Sequence, residues 1–141
     1  MPRAFLLDTN VVSELRKGSR ADAGVSTWFS GLDDDQLFLS ALTIGELRRG
    51  VESIRRRDTA QAEQLEVWLA ELVNLFAERI LAVDSEIAER WGRMNVPDAL
   101  PVVDGLLAAT AEVHGLTVAT RDTAPAERAG AAVVNPFARS R

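Results

Sequence analysis

The chain contains no cysteine and a single histidine, His114. The first absence removes disulfides, thiolate nucleophiles and sulfur-ligated metal sites together. The second excludes a zinc centre built on several imidazoles and leaves a Ser-His-Asp relay only one base to draw on. No apolar run approaches the roughly 18 residues needed to cross a bilayer. One arginine and a very short apolar stretch precede Asp8, which is not the layout of a secretory signal. The expectation is a cytoplasmic protein with no membrane partner. Internal repeats, low-complexity tracts and long linkers are missing too, and Arg16-Lys17-Gly18-Ser19 lacks the spacing of a phosphate-binding P-loop. The chemistry that remains in quantity is carboxylate, and carboxylates select hard cations such as Mg²⁺ or Mn²⁺.

With 141 residues, 47% of them hydrophobic and 26% charged, the chain suits one globular domain spanning residues 1–141. Its net charge of −5 disfavours nonspecific nucleic-acid binding, which depends on Lys and Arg neutralising phosphates. Acids gathered in a metal site distort that count, because the bound cation offsets them. The basic residues are uneven: Arg48, Arg49, Arg55, Arg56 and Arg57 form one group, and Arg16, Lys17 and Arg20 a second. Such groups are either solvated helix faces or surfaces that steer a polyanion.

Apolar patterning alternates short strands with helices. Strands are expected at Ala4 to Leu7, Leu37 to Leu39, Ile80 to Val83, Thr117 to Ala119 and Ala132 to Val134. Short helices are expected at Val11 to Arg16, Ala23 to Gly31 and Pro125 to Ala129. Thr43-Ile44-Gly45-Glu46 matches a capping box, which predicts a helix from Thr43 to about Ile54. Leu65, Trp68, Leu69, Leu72 and Phe76 recur at threes and fours and predict a helix over Thr59 to Phe76, its apolar face widened by Val67, Val73 and Leu75. Asp84 or Ser85 caps another helix carrying Ile87 and Trp91. A helix from Val103 to His114 is apolar on most sides and closes at Gly115. This order predicts an α/β fold, a parallel five-stranded sheet with helices on both faces, and ligands of such sheets bind beyond the carboxyl ends of the strands.

Four acids fall near those ends: Asp8, Glu46, Asp104 and Asp122. Each has an ordinary structural explanation. Asp8 can close an Asx-turn, Glu46 can complete the capping box, Asp104 suits the first turn of its helix, and Asp122 can cap the helix containing Pro125. Against these stands their setting. Asp8 ends an apolar strand, and Asp104 interrupts Val102-Val103 and Leu106-Leu107, where an unpaired charge is costly. Carboxylates sharing one pocket raise each other's pKa unless a cation is present, so a gathered set is a metal-site hypothesis.

Five pieces in order carry a resemblance over nearly the whole chain: Leu7-Asp8-Thr9-Asn10-Val11-Val12-Ser13-Glu14-Leu15, Ser40-Ala41-Leu42-Thr43-Ile44-Gly45-Glu46-Leu47, Asp104-Gly105-Leu106-Leu107-Ala108-Ala109-Thr110-Ala111, Val118-Ala119-Thr120-Arg121-Asp122 and Val133-Val134-Asn135-Pro136-Phe137. The chain resembles the PIN-domain ribonucleases, and among them the VapC-type toxins of bacterial toxin–antitoxin pairs, the FitB-like subgroup especially. The resemblance implies a single PIN-like domain and a metal-dependent endoribonuclease. Metal-activated water would hydrolyse RNA phosphodiesters, leaving a 5′-phosphate and a 3′-hydroxyl. It implies Mg²⁺ or Mn²⁺ held by Asp8, Asp104, Glu46 and Asp122, with Asn10, Ser40 and Thr120 in support. Many relatives carry Asp-Phe three residues after the last acid, where this chain has Pro125-Ala126. The resemblance further implies a cognate antitoxin and a homodimer, and Arg48, Arg49, Arg55, Arg56 and Arg57 are the candidates for steering RNA. The competing readings are a non-catalytic binding module of the same fold and an Asp-based phosphatase.

Overall fold

The computed structural model describes residues 3–138 of the 141, so both ends of the single-domain span expected from sequence lie outside the described residues. Phe5, Leu6 and Leu7 form β1 (Phe5–Leu7) and are all buried. Alternate side chains of a strand point to opposite faces, so Phe5 and Leu7 enter one core and Leu6 enters another. Burial on both faces is what a central parallel strand requires. β2 (Leu37–Ser40), β3 (Ile80–Leu81), β4 (Thr117–Ala119) and β5 (Val133–Val134) complete the sheet in the order β3-β2-β1-β4-β5. Every pairing is parallel, with Phe5 opposite both Leu37 and Thr117.

Seven α-helices connect the strands among the described residues: α1 (Thr9–Leu15), α2 (Ala23–Ser30), α3 (Ala41–Arg55), α4 (Thr59–Phe76), α5 (Ser85–Met94), α6 (Val102–His114) and α7 (Ala124–Arg128). Val11 and Val12 of α1, Leu47 and Val51 of α3, and Leu69 and Phe76 of α4 fill the core on the Phe5/Leu7 face. Trp28 of α2 meets Phe5 edge-on at 5.0 Å. Leu107, Ala108 and Ala111 of α6 and Ala126 of α7 fill the other, and α5 packs on α6. Gly115, in the left-handed region at φ 68°, ends α6 as expected, with the Leu116 N–H returning to the Ala111 carbonyl at 2.8 Å.

Three local expectations change. α3 starts at Ala41 rather than Thr43, because Ser40 is the cap: its hydroxyl accepts the Leu42 N–H at 3.0 Å. Thr43 is fully buried inside the first turn with its hydroxyl unpartnered, so no capping box joins it to Glu46. The third strand stops at Leu81, short of Val83, since Asp84 already caps α5 through the Ile87 N–H at 2.9 Å. Asp122 does not cap α7; Thr123 holds the N-cap position with no side-chain bond.

The chain runs β1 to β2 to β3 on one side of β1, then returns through α5 and α6 to β4 on the other side. The connections therefore diverge at the β1/β4 seam, the place where the ligands of such sheets bind.

Candidate active site

Asp8 directly follows β1 and caps α1. Its Oδ1 accepts the Thr9 N–H at 2.7 Å. Its Oδ2 accepts the Thr120 hydroxyl at 2.8 Å and lies 3.4 Å from Asn10 Nδ2. Thr120 directly follows β4, so this short bond crosses the seam, beside the backbone bond from the Asp8 N–H to the Ala119 carbonyl at 2.9 Å. Thr120 is buried, and the same oxygen that donates to Asp8 accepts the Asp122 N–H at 3.2 Å. Asn10 Oδ1 accepts the Arg121 N–H at 3.2 Å. Asp8 and the loop bearing Asp122 are thus tied together through Thr120 and Asn10.

Glu46 reaches the same edge from α3. Ser40 starts that helix directly at the end of β2, and Glu46 stands in its second turn. The Thr9 hydroxyl donates to Glu46 Oε1 at 2.7 Å, joining the first turn of α1 to α3. Asp104 comes from the first turn of α6 and is half-buried. Burial pushes its carboxyl above the ordinary value of 3.8, and the negative charges of Asp8, Asp122 and Glu46 push in the same direction, against Arg128. The direction of that shift is the one expected when a carboxyl shares its surroundings with other acids and no cation offsets them.

Among the described residues, no three such groups already stand in an arrangement that would hold a metal ion. The donors nonetheless fit a hard divalent cation. All are carboxylate oxygens, and an oxygen that accepts one hydrogen bond keeps a second lone pair for a ligand. Asp8, Asp104, Glu46 and Asp122 are the residues able to hold it, Asp122 being the most exposed.

Sequence reasoning passes over Thr9. Its signal was a hydroxyl on the first residue of α1, but its partner Glu46 is thirty-seven positions away, and only the fold pairs them. Arg128 was passed over likewise. The arginine group divides. Arg48 donates to Glu66 at 2.7 Å and Glu52 at 3.1 Å, and Arg55 donates to the same two carboxylates at 2.8 and 3.0 Å. These bonds hold Glu52 below the usual carboxylate range and raise Arg48 and Arg55. They close the seam between α3 and α4. Arg49, Arg56 and Arg57 are exposed and have no ion pair among the described residues.

An oxygen-rich crevice at the divergence point of a five-stranded parallel sheet defines a class of small α/β domains with an acidic edge. Within that class the chain belongs to the PIN-domain family, whose model matches residues 5–131. It is 36% identical over 140 residues to the VapC ribonuclease Y4jK of Sinorhizobium fredii, covering 94% of this chain and 97% of that one. It is 37% identical over 140 residues to the toxin FitB of Neisseria gonorrhoeae, covering 94% and 98%. The crystal structure of FitAcB from Neisseria gonorrhoeae superposes with a TM-score of 0.86 at 36% identity, over 94% of this chain and 97% of that chain.

Proposed function

We propose that this protein is a divalent-metal-dependent endoribonuclease and the toxin of a toxin–antitoxin pair. What supports the reading is the pair of short hydrogen bonds that ties Asp8 to Thr120 and Glu46 to Thr9 at the carboxyl edge of the sheet, with the Asp104 carboxyl raised by burial and by Asp8, Asp122 and Glu46. Its similarity to a VapC ribonuclease and to a toxin supplies the reaction class.

Asp8, Asp104, Glu46 and Asp122 would hold Mg²⁺ or Mn²⁺. When bound, such an ion lowers the pKa of a water and offsets charge on a scissile phosphate. The chain's own residues fix the acids. Thr120 and the Thr9 N–H each occupy one oxygen of Asp8, which sets the plane of that carboxylate. The Thr9 hydroxyl restrains Glu46, and Thr120 with Asn10 holds the 121–122 backbone toward Asp8. Arg49, three residues after Glu46 on α3 and without an ion pair among the described residues, is free for an RNA backbone. Arg56 and Arg57 lie roughly 15 Å from Glu46 along α3, at 1.5 Å per residue. Arg48 and Arg55 take part only by giving up Glu52 and Glu66.

The partners proposed are an antitoxin and a second copy of the chain. Exposed apolar side chains on α4, Val67 and Leu75, 60% and 61% exposed, are the surface such partners would cover. Among the described residues no helix is long and apolar enough to cross a membrane, in keeping with action in the cytoplasm.

The decisive experiment is cleavage of single-stranded RNA by purified protein with Mg²⁺, comparing wild type with Asp8→Asn. Cleavage is expected to be lost in the variant and on chelation of the metal. Undiminished cleavage by Asp8→Asn removes the mechanism.

A further inference from the structure

Beside the acids lies a cavity of about 260 Å³ that the cleavage chemistry leaves unused. Thr9 and Ser13 of α1, with Arg16 just after it, form one wall, Glu46 and Gly50 of α3 the second, and Trp68 of α4 the third. Two of its lining residues, Thr9 and Glu46, are the hydrogen-bonded pair that joins α1 to α3 at the acidic edge. The Arg16 guanidinium sits over the Trp68 ring at 5.9 Å from its centroid. Gly50 lies inside α3, and a Cβ built there meets nothing within 4 Å. Gly50 is exposed, so a larger side chain has room there without displacing a neighbour.

We infer that this cavity is a nucleobase subsite, which receives the base next to the scissile phosphate of a single-stranded RNA. The inference rests on the ribonuclease reading above and adds where the substrate is gripped. The volume lies just below the range of roughly 300–1,000 Å³ typical of sites for drug-sized ligands, which suits one planar base. An indole face offers stacking that any base can use. Arg16 brings a cation to a site otherwise crowded with carboxylates, where a phosphate needs one. Ser13 brings a hydroxyl able to donate or accept at a base edge. Leu47, Val51 and Leu65 supply an apolar floor. The position next to Glu46 means that a base seated here draws its own phosphate toward the four acids.

Filling the cavity from Gly50 tests this. Gly50→Met projects a side chain into the space, and Gly50→Ala is the folding control, expected to melt no lower than wild type. Binding of a short fluorescein-labelled single-stranded RNA is read by anisotropy with Ca²⁺ present, and the KM and kcat of Mg²⁺-dependent cleavage are read in parallel. Gly50→Met and Trp68→Leu are expected to weaken binding roughly five- to 150-fold, the range of one lost base–aromatic stack, and to raise KM more than they lower kcat. Trp68→Phe, which keeps a stacking face, should restore most of the binding. The Mn²⁺-induced rise in melting temperature should be the same in Gly50→Met as in wild type. If Gly50→Met binds and cleaves RNA as wild type does, the inference is overturned while the ribonuclease reading stands, and the cavity passes to a protein partner. If wild type itself neither binds nor cleaves RNA, that reading fails and takes the subsite with it.

Discussion

Thr120 has one hydroxyl proton and several neighbours competing for its oxygen. The 2.8 Å contact to Asp8 Oδ2 takes the proton, and the Asp122 N–H and Asn10 Nδ2 then approach as donors at 3.2 and 3.4 Å. A buried oxygen used in this way cannot be replaced by a methyl group without leaving Asp8 and the Asp122 N–H short of a partner. Thr120→Val has nearly the same shape and is expected to cost roughly 1–3 kcal/mol, the penalty for unpaired buried polar groups. It should also depress Mg²⁺-dependent cleavage well beyond what its stability loss explains. Thr120→Ser keeps the hydroxyl and should recover cleavage. Urea denaturation and cleavage rates on the two variants check both halves; equal cleavage by Val and Ser would remove the positioning role.

At the scale of elements, α3 shows how a local pattern and the tertiary structure compete. Thr43-x-x-Glu46 has the sequence form of a capping box, yet Ser40 lies where β2 ends, so the helix begins there and Thr43 is drawn into the core. Moving the cap by three residues, from Thr43 to Ser40, releases Glu46 from capping and leaves it to accept from Thr9. Ser40→Ala is expected to destabilise by about 1 kcal/mol, the usual worth of a serine cap, and Ser40→Gly by only a few tenths, both measured by urea denaturation. The strands were legible because double burial writes itself as unbroken apolar runs, as in Phe5-Leu6-Leu7. The central helix α6 and its glycine stop were legible for a similar reason, since composition and φ preference are local. The roles of Arg48 and Arg55 were not, because Glu66 lies on the next helix and no spacing rule joins them. Nor was the cavity at Gly50 legible, because a glycine inside a helix looks the same whether it opens a pocket or only weakens a turn.

At the scale of the molecule, the chain carries a net charge of −5, and the four carboxylates proposed as its metal site would make stability depend on pH and metal together. Burial and its acidic neighbours raise the Asp104 pKa in the folded state. The native protein therefore holds that proton to a higher pH than the unfolded chain does. Between the ordinary value of 3.8 and the raised one, the native state binds more protons, and stability falls as pH rises. The penalty is complete above the raised value and absent well below 3.8. Glu14 acts in the opposite sense: the Asp22 N–H and Lys17 lower its pKa, so its contribution is present at neutral pH and is lost as pH falls through that lowered value. Wild-type melting alone mixes the two, and the difference between Asp104→Asn and wild type separates them. Without metal, Asp104→Asn is expected to melt higher than wild type at neutral pH, with the gap closing as pH falls from the raised value toward 3.8. Adding Mn²⁺ should reverse the order. An ion that binds only the folded state stabilises by about 2.7 kcal/mol at a hundredfold excess over its Kd, on the order of 10 °C for a domain of this size, and the variant lacks one of the carboxylates proposed to hold it. Thermal melts of both proteins across pH, with and without Mn²⁺, decide the matter: a wild type that gains nothing from Mn²⁺ while Asp104→Asn still melts higher would show a shared acidic crevice that does not bind the ion.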